Sequence, residues 1–194
     1  MNKKVFLGLL VIVVTLAVAT AGCTFSTNPS GGGASPSASA VPQNITGYST
    51  YTNATAGVRI QYPSGWGVTE GGSETTVVTF HAPDGMANVQ VISAPVSGTK
   101  SVAELHNTSI NGLLNMTSLN YTLVSTENTT LAGMPAYNST LTTTMVAGTP
   151  MTQTVTTTVK DKQGYVLITT TTSKLLPNYQ NDFSNMTNSF AITS

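Results

Sequence analysis

Charge is scarce in this sequence. Asp, Glu, Lys and Arg make up 7% of the 194 residues, against roughly 25% in an average soluble domain. The formal net charge is zero, so no basic patch is available to neutralise phosphates, and we expect no nucleic-acid partner. Solubility must come from hydroxyls, amides and attached sugars. Threonine supplies much of this polarity, as in TTTMVAGTPMTQTVTTTV.

Groups for catalysis or metal binding are equally few. The chain has two histidines, one cysteine and seven acidic residues. His81 lies near Asp84, and His106 lies near Glu104. A metal would need three or four such groups converging, and no Gly-x-Ser-x-Gly nucleophile motif occurs. We therefore predict a protein that is not an enzyme and holds no cofactor or metal, with both histidines at the surface or at a sheet edge.

The N-terminus has the layout of a secretory signal. Lys3 and Lys4 form a positive region, and the apolar run VFLGLLVIVVTLAVATAG follows at residues 5–22. This order is typical of a signal peptide, which we assign to residues 1–22. A run of this length also just suffices to span a bilayer, so an uncleaved anchor is the alternative. Both interpretations place the rest of the chain on the outer side of a membrane.

The lone cysteine follows the apolar run directly. Ala21 and Gly22 lead into Cys23, which resembles the lipobox of prokaryotic lipoproteins. The resemblance implies that Cys23 becomes the first mature residue and carries lipid on its thiol. Thr20 departs from the pattern, because an aliphatic residue is commoner there. A single cysteine outside the cytosol has no partner within the chain for a disulfide, which favours attachment as its role.

A tether separates the cysteine from the domain. Residues 24–47 are dominated by Gly, Ser, Ala and Pro and show no apolar periodicity. Such a composition cannot bury enough surface to offset chain entropy, which predicts a flexible linker. Its mean reach is on the order of 25–30 Å. We assign residues 23–47 to the lipidated cysteine and tether and residues 48–194 to one domain.

Sequons for N-glycosylation are dense. Together with the secretion signal, they predict a glycosylated cell-surface protein. A lipobox-like site combined with many sequons favours an archaeal source over a bacterial one. The candidate acceptors are Asn44, Asn53, Asn107, Asn115, Asn120, Asn128, Asn138 and Asn185.

Period-two alternation marks several strands. GVRIQYP, TTVVTFH and NVQVIS come first, with a tight turn expected at Asp84-Gly85. Four β-branched runs follow, with hairpin turns expected at 147–150 and 160–164. Alternating threonines in the third of these runs, at 152, 154, 156 and 158, predict one solvated sheet face. The four runs are YTLVSTE, AYNSTLTTTMV, MTQTVTTTV and GYVLITTTT.

Two segments predict helices instead. Ser101 and Glu104 form a capping box, and apolar residues on one face extend the first helix to about Met116. The residues of that face are Val102, Leu105, Ile110, Leu113 and Leu114. Pro177 suits the start of the second helix.

Aromatic residues are the remaining candidates for a site. Tyr179, Phe183, Met186 and Phe190 form one stripe of the second helix, which we assign to the core. Tyr51, Tyr62 and Trp66 are also expected in the core, with a sugar-binding platform as the alternative. Strands and helices in this order predict an α+β fold, an antiparallel sheet covered by helices.

Several stretches resemble one family. GVRIQYPSGW is similar to the early strand and turn of PsbP-like domains. TLAGMPAYNSTLT resembles the family's mid-chain strand entry, with Gly133, Ala136 and Tyr137 matching. KDKQGYVLITTT and YQNDFSNMTNSFAI resemble its closing strand and terminal helix. The resemblance spans most of residues 48–192 and implies an αβα sandwich around an antiparallel sheet.

The resemblance also implies a role without catalysis. PsbP itself is an extrinsic photosystem II subunit held at a membrane surface, although nothing here indicates a photosystem. No site residue is carried over. We expect a domain anchored to the outer face of the cell membrane that docks to or stabilises an envelope component. The alternatives are a small-ligand or metal receptor with a pocket around His81, and an envelope hydrolase with paired carboxylates or a Ser/His pair.

Overall fold

The computed structural model describes residues 45–98, 101–144 and 148–193. The predicted signal segment, Cys23 and most of the tether lie outside these ranges. Within them the chain forms ten strands and two helices. They are β1 (Tyr48–Asn53), β2 (Val58–Pro63), β3 (Gly67–Glu70), β4 (Thr76–His81), β5 (Ala87–Pro95), α1 (Val102–Leu114), β6 (Thr122–Leu131), β7 (Met134–Thr144), β8 (Pro150–Lys160), β9 (Gln163–Thr172), α2 (Leu176–Ser189) and β10 (Ala191–Ile192).

Seven strands form one antiparallel sheet. Their order is β3-β4-β5-β9-β8-β7-β6, so β9 pairs with both β5 and β8 near the centre. Helix α1 joins β5 to β6 at the far edge and packs on β7 and β8. Two hairpins close on tight turns, as predicted. Gly85 (φ 70°) lies in the first, and Asp161 and Lys162 (φ 49° and 63°) form the second, with the left-handed backbone that suits the strand twist.

The two faces of this sheet are covered differently. On one face, α1 packs over a smaller apolar cluster that includes Ile110, Leu113 and Val155. On the other face lies a larger cluster that includes Val58, Phe80 and Met186. The second cluster joins the sheet to α2 and to a three-stranded sheet of order β1-β2-β10. The predicted α+β fold, an antiparallel sheet flanked by helices, is confirmed.

The small sheet is an addition to the predicted layout. GVRIQYP was expected in the same sheet as its neighbours, but β2 pairs with β1 and β10 instead. β1, β3 and β10 were not predicted. The backbone N–H of Ile45 donates to Gln61 Oε1 at 2.9 Å, so contacts with β2 begin three residues before β1.

Both predicted helices form. The Ser101–Glu104 capping box is present in full, with Glu104 N–H donating to Ser101 Oγ and Ser101 N–H donating to Glu104 Oε2. In α2, Phe183 and Met186 are buried, and Phe190 is buried at its C-cap. Leu114, one of the residues of the predicted apolar face, is 36% exposed at the end of α1.

The prediction of a solvated threonine face on β8 is also wrong. Thr152, Thr156 and Thr158 are buried. Their hydroxyls bond within the fold instead of to water, since Thr156 donates to Asn138 Oδ1 at 2.9 Å and Thr158 to the carbonyl of Pro135 at 2.8 Å. Period-two spacing identified the strand but not its environment, because threonine suits a wet face and a hydrogen-bonded interior equally well.

Met186 tests whether α2 belongs to the main core. Its side chain is fully buried in the larger cluster. Met186→Ala should lower the free energy of unfolding by about 2–5 kcal/mol, because it removes buried apolar atoms and leaves a cavity. Asn188→Ala, on the exposed side of the same helix, should change it by no more than about 0.5 kcal/mol. Denaturant titration measures both, and equal effects would show that α2 is only loosely attached.

Candidate functional site

The most concentrated polar chemistry lies beneath α1. His106 points from the helix into the sheet and is 1% exposed. Its Nε2 lies 2.7 Å from Ser139 Oγ on β7, and its Nδ1 lies 3.0 Å from Thr157 Oγ1 on β8. The prediction of a surface or edge histidine is therefore wrong for His106.

Further contacts extend this cluster to the next strand. Ser139 Oγ lies 2.7 Å from Thr126 Oγ1 on β6, and the His106 ring stacks on Tyr137 with centroids 5.7 Å apart. One histidine thus links α1 to three adjacent strands. Sequence reasoning found His106 but missed its hydroxyl partners, because nothing distinguishes Ser139, Thr126 or Thr157 from the many other hydroxyl residues.

The electrostatics of the cluster favour a neutral ring. Burial lowers the pKa of His106, because a charged imidazolium would lose its hydration. A neutral imidazole donates through one nitrogen and accepts through the other. One of the two hydroxyls therefore donates to the ring and the other accepts from it, so both ring nitrogens are satisfied.

The Ser139–His106 spacing matches that of a nucleophile and its base. A hydrolase would also need a path to the serine and an orienting group behind the histidine. Ser139 and Thr157 are both 0% exposed, and the group behind His106 is a threonine in place of a carboxylate. A substrate cannot reach Ser139 Oγ while α1 is in place, so the geometry serves structure.

His81, Asp84, Glu104 and His106 do not converge on one site. His81 ends β4, three strands from β8, which corresponds to about 14 Å across the sheet. Glu104 caps α1. Among the residues that the structure describes, no group of three His, Cys, Asp or Glu side chains is placed to hold a metal ion.

Asp84 has a different role, in fastening α2. Tyr179 OH donates to Asp84 Oδ2 at 2.5 Å, which connects the helix to the β4–β5 turn. Burial and this hydrogen bond raise the pKa of Tyr179 to about 12. The same bond, together with the backbone N–H of Met86, lowers the pKa of Asp84. Tyr48 on β1 makes a second link to α2 through Asp182 Oδ1.

The aromatic platform is not present. Tyr51 and Trp66 are 8% and 7% exposed. Tyr51 meets Phe80 edge-on at 5.8 Å, Tyr62 lies 4.7 Å from Phe80, and Trp66 packs edge-on to Phe183 at 6.3 Å. These rings belong to the core, as the preferred interpretation predicted.

A small cavity lies between α1 and the sheet. Its volume is about 120 Å³, and Ile92, Val96, Leu105 and Val166 line it. It is smaller than the roughly 300–1,000 Å³ of ordinary ligand sites and lacks converging charged groups. His81, around which a ligand pocket was predicted, is not among its lining residues.

Among the described residues, the large apolar side chains that are exposed lie in two places. Val68 on β3 (40% exposed) and Met86 in the β4–β5 turn lie at one edge of the large sheet. Leu114, Leu123 and Val124 lie near β6 at the other edge. In the described part of the chain, no helix is long and apolar enough to cross a membrane.

The buried histidine predicts a pH-dependent stability. The folded pKa of His106 lies below its unfolded value, so the unfolded chain takes up a proton first as the pH falls through about 6.5. The contribution of His106 to the free energy of unfolding should be fully present above that pH. It should decrease as the pH falls further and level off once the pH is below the folded pKa. His106→Gln should cost about 1–3 kcal/mol at neutral pH through its hydroxyl partners and should flatten the decline.

Denaturant titrations between about pH 7 and pH 5 measure this slope. Burial also lowers the pKa of His81, so His81→Gln is the control. This variant should keep the part of the pH dependence of stability that is due to His106. An unchanged slope in His106→Gln would contradict a neutral buried ring.

No curated protein matches the sequence. Among solved structures, CyanoP, the PsbP of the cyanobacterium Synechocystis sp. PCC 6803, is similar with a TM-score of 0.60 at 15% identity, covering 80% of this chain and 98% of that one. LpqN from Mycobacterium tuberculosis, described as involved in cell envelope biogenesis, gives 0.56 at 14% identity, covering 78% and 88%. The Ran-binding protein Mog1p from Saccharomyces cerevisiae gives 0.51 at 9%, covering 76% and 96%.

At these identities the solved structures show a shared fold and nothing more. The sequence profile of the PsbP family is more specific, because it matches residues 46–192, which include every strand and helix that the structure describes. The resemblance inferred from short motifs thus holds along the whole domain, and the chain belongs to the PsbP family.

Proposed function

We propose that this chain is a membrane-anchored, extracytoplasmic PsbP-family module that docks to or stabilises a protein of the cell envelope and catalyses no reaction. One observation carries the proposal. The histidine and hydroxyls that have catalytic spacing are sealed beneath α1, whereas exposed apolar side chains occur at the sheet edges.

The known relatives support this role by analogy. LpqN is described as involved in cell envelope biogenesis, and Mog1p as a Ran-binding protein. Neither description names a chemical reaction, and one concerns binding to another protein. A fold hosts many functions, so this analogy supports docking without identifying the partner.

The N-terminal sequence supports the location. A signal segment at 5–22 followed by Cys23 and a Gly/Ser-rich tether would hold the domain near the outer membrane face while leaving it free to reorient. An uncleaved helix at 5–22 would place the domain on the same side. In both cases the domain meets envelope proteins without crossing the membrane itself.

We assign docking to the edge of the seven-stranded sheet that is formed by β3. All four residues of β3 are exposed, and the strand pairs on one side only, with β4. An unpaired strand offers backbone N–H and C=O groups to a partner. Val68 adds an apolar side chain on this strand, and Met86, 49% exposed, adds another at the neighbouring turn.

The charges near this edge indicate the partner's chemistry. Glu70 lies on β3, Glu74 in the turn that follows it, and Asp84 in the β4–β5 turn. All three are exposed acidic residues. Complementarity therefore favours a protein partner whose contact surface is apolar with a basic rim.

Site-specific photo-crosslinking in native membranes tests the proposal. A photoreactive residue at Val68 or at Met86 in the full chain should capture the same envelope protein, joined next to Lys or Arg residues. The matched control is Val124, which is 61% exposed at the opposite edge and should not capture that protein. Mass spectrometry of the adducts identifies the partner and the joined segment.

Two results would contradict docking at β3. One is capture of the same protein from Val124 as efficiently as from Val68. The other is absence of any protein adduct from all three positions in membranes that retain the chain.

A further inference from the structure

The structure distinguishes between the candidate glycosylation sites. Transfer of a glycan to asparagine needs a free side-chain Nδ2 and an accessible Ser or Thr hydroxyl two residues later. Seven of the eight sequons lie within the described residues, and the eighth, at Asn44, lies outside them. These two requirements divide the seven sequons into those that the folded domain leaves open to glycosylation and those that it does not.

Three of the asparagines already use Nδ2 inside the fold. Asn53 donates to Tyr51 OH at 3.3 Å, Asn138 to Glu127 Oε1 at 3.0 Å, and Asn185 to Tyr48 OH at 3.1 Å. All three are only partly exposed. Each Nδ2 has two hydrogens, one of which is already donated within the fold. A glycan would have to replace a hydrogen on a nitrogen that is held in place and only partly exposed, so the folded domain disfavours all three.

Asn107 fails on the second requirement. Its side chain is exposed on α1, but the hydroxyl of its sequon belongs to Ser109. Ser109 is 9% exposed, and its Oγ donates to the carbonyl of Leu105 one turn earlier. The helix therefore conceals half of this sequon.

Asn115, Asn120 and Asn128 meet both requirements. Each is exposed, and so is the hydroxyl residue of each sequon, at Thr117, Thr122 and Thr130 respectively. Asn115 is the C-cap of α1. Asn120 lies in the loop that follows, with a left-handed φ of 43°, and Asn128 lies on β6. None of these side chains forms a hydrogen bond to another described residue.

These three acceptors lie close in sequence to exposed apolar side chains. Leu114 adjoins Asn115, while Leu123 and Val124 lie between Asn120 and Asn128, with exposures of 36%, 40% and 61%. β6 is an edge strand of ten residues with Glu127 as its one charged side chain. Edges of this kind pair with other chains unless a lysine, a proline, a bulge or a cover prevents it. Here a register shift at Val124 interrupts the pairing only locally.

We propose that Asn115, Asn120 and Asn128 carry N-glycans and that these glycans cover the exposed β6 edge and keep it from pairing with other chains. The donor class is an oligosaccharide linked to a lipid phosphate. In the transfer the C1–O bond from sugar to phosphate breaks, and a C1–N bond to Nδ2 forms. Nδ2 releases one proton, and the lipid phosphate leaves with the electron pair. The inference rests on the proposed extracytoplasmic location.

Glycopeptide mass spectrometry of the full chain from the cells that encode it tests the assignment. We expect glycans at Asn115, Asn120 and Asn128, and each Asn→Gln variant should lose one glycan mass. Asn107→Gln is the matched control and should change the mass only by the substitution. Glycans on Asn53, Asn107, Asn138 or Asn185, or a bare chain, would overturn the assignment.

Protease treatment of intact cells separates failure of this inference from failure of the location. A bare chain that is digested from outside would overturn the glycans and leave the location standing. A chain protected until the cells are broken would overturn both.

Light scattering tests the protective role. The Asn115→Gln, Asn120→Gln, Asn128→Gln triple variant should self-associate and raise the mean mass about twofold or more, whereas Asn107→Gln should not. Adding Val124→Lys to the triple variant should restore the mass of an unglycosylated monomer, because a lysine on an edge strand disfavours pairing. A triple variant as monodisperse as the wild type would overturn the protective role.

Discussion

The fold depends on a sheet whose central strand must be dry on both faces. Every residue of β9 from Gly164 to Thr171 is buried, although this chain has little charge and no long apolar run in its domain. A strand in that position needs cover above and below. Helix α1 supplies one side, and α2 with the small β1-β2-β10 sheet supplies the other. The crossover from β5 to β6 and the return of the C-terminus to β2 follow from this need.

The same constraint explains why many polar side chains are buried and hydrogen-bonded within the fold. A threonine-rich chain that buries its sheet on both faces must satisfy many hydroxyls internally, since an unpaired buried hydroxyl is costly. Thr156, Thr158 and Ser139 do so through side chains and carbonyls of neighbouring strands. His106 bonds to both Ser139 and Thr157. What resembles a catalytic pair is therefore one part of an internal hydrogen-bond network, which supports a function located at the surface.

Local patterns predicted the parts of this structure that local physics determines. The capping box at Ser101, the turn at Asp84-Gly85 and the buried stripe of α2 each depend on residues near one another in sequence, and each was found. β2 pairs with its neighbour β1, but the small sheet also needs β10 at Ala191–Ile192, from the far end of the chain, and no local period encodes that pairing. The burial of His106 likewise depends on Ser139 and Thr157, 33 and 51 residues away. The composition could not show which sequons the fold leaves open.

Both the docking proposal and the glycan proposal require that the domain be held outside the cell, and a lipid on Cys23 is the attachment that the account proposes. The most direct measurement is the mass of the N-terminal peptide of the mature chain recovered from membranes. The account predicts a chain that begins at Cys23 with lipid on its thiol, and a Cys23→Ala variant that lacks this modification. A mature chain that retains Met1 or Asn2 and carries an unmodified Cys23 would contradict the lipid anchor.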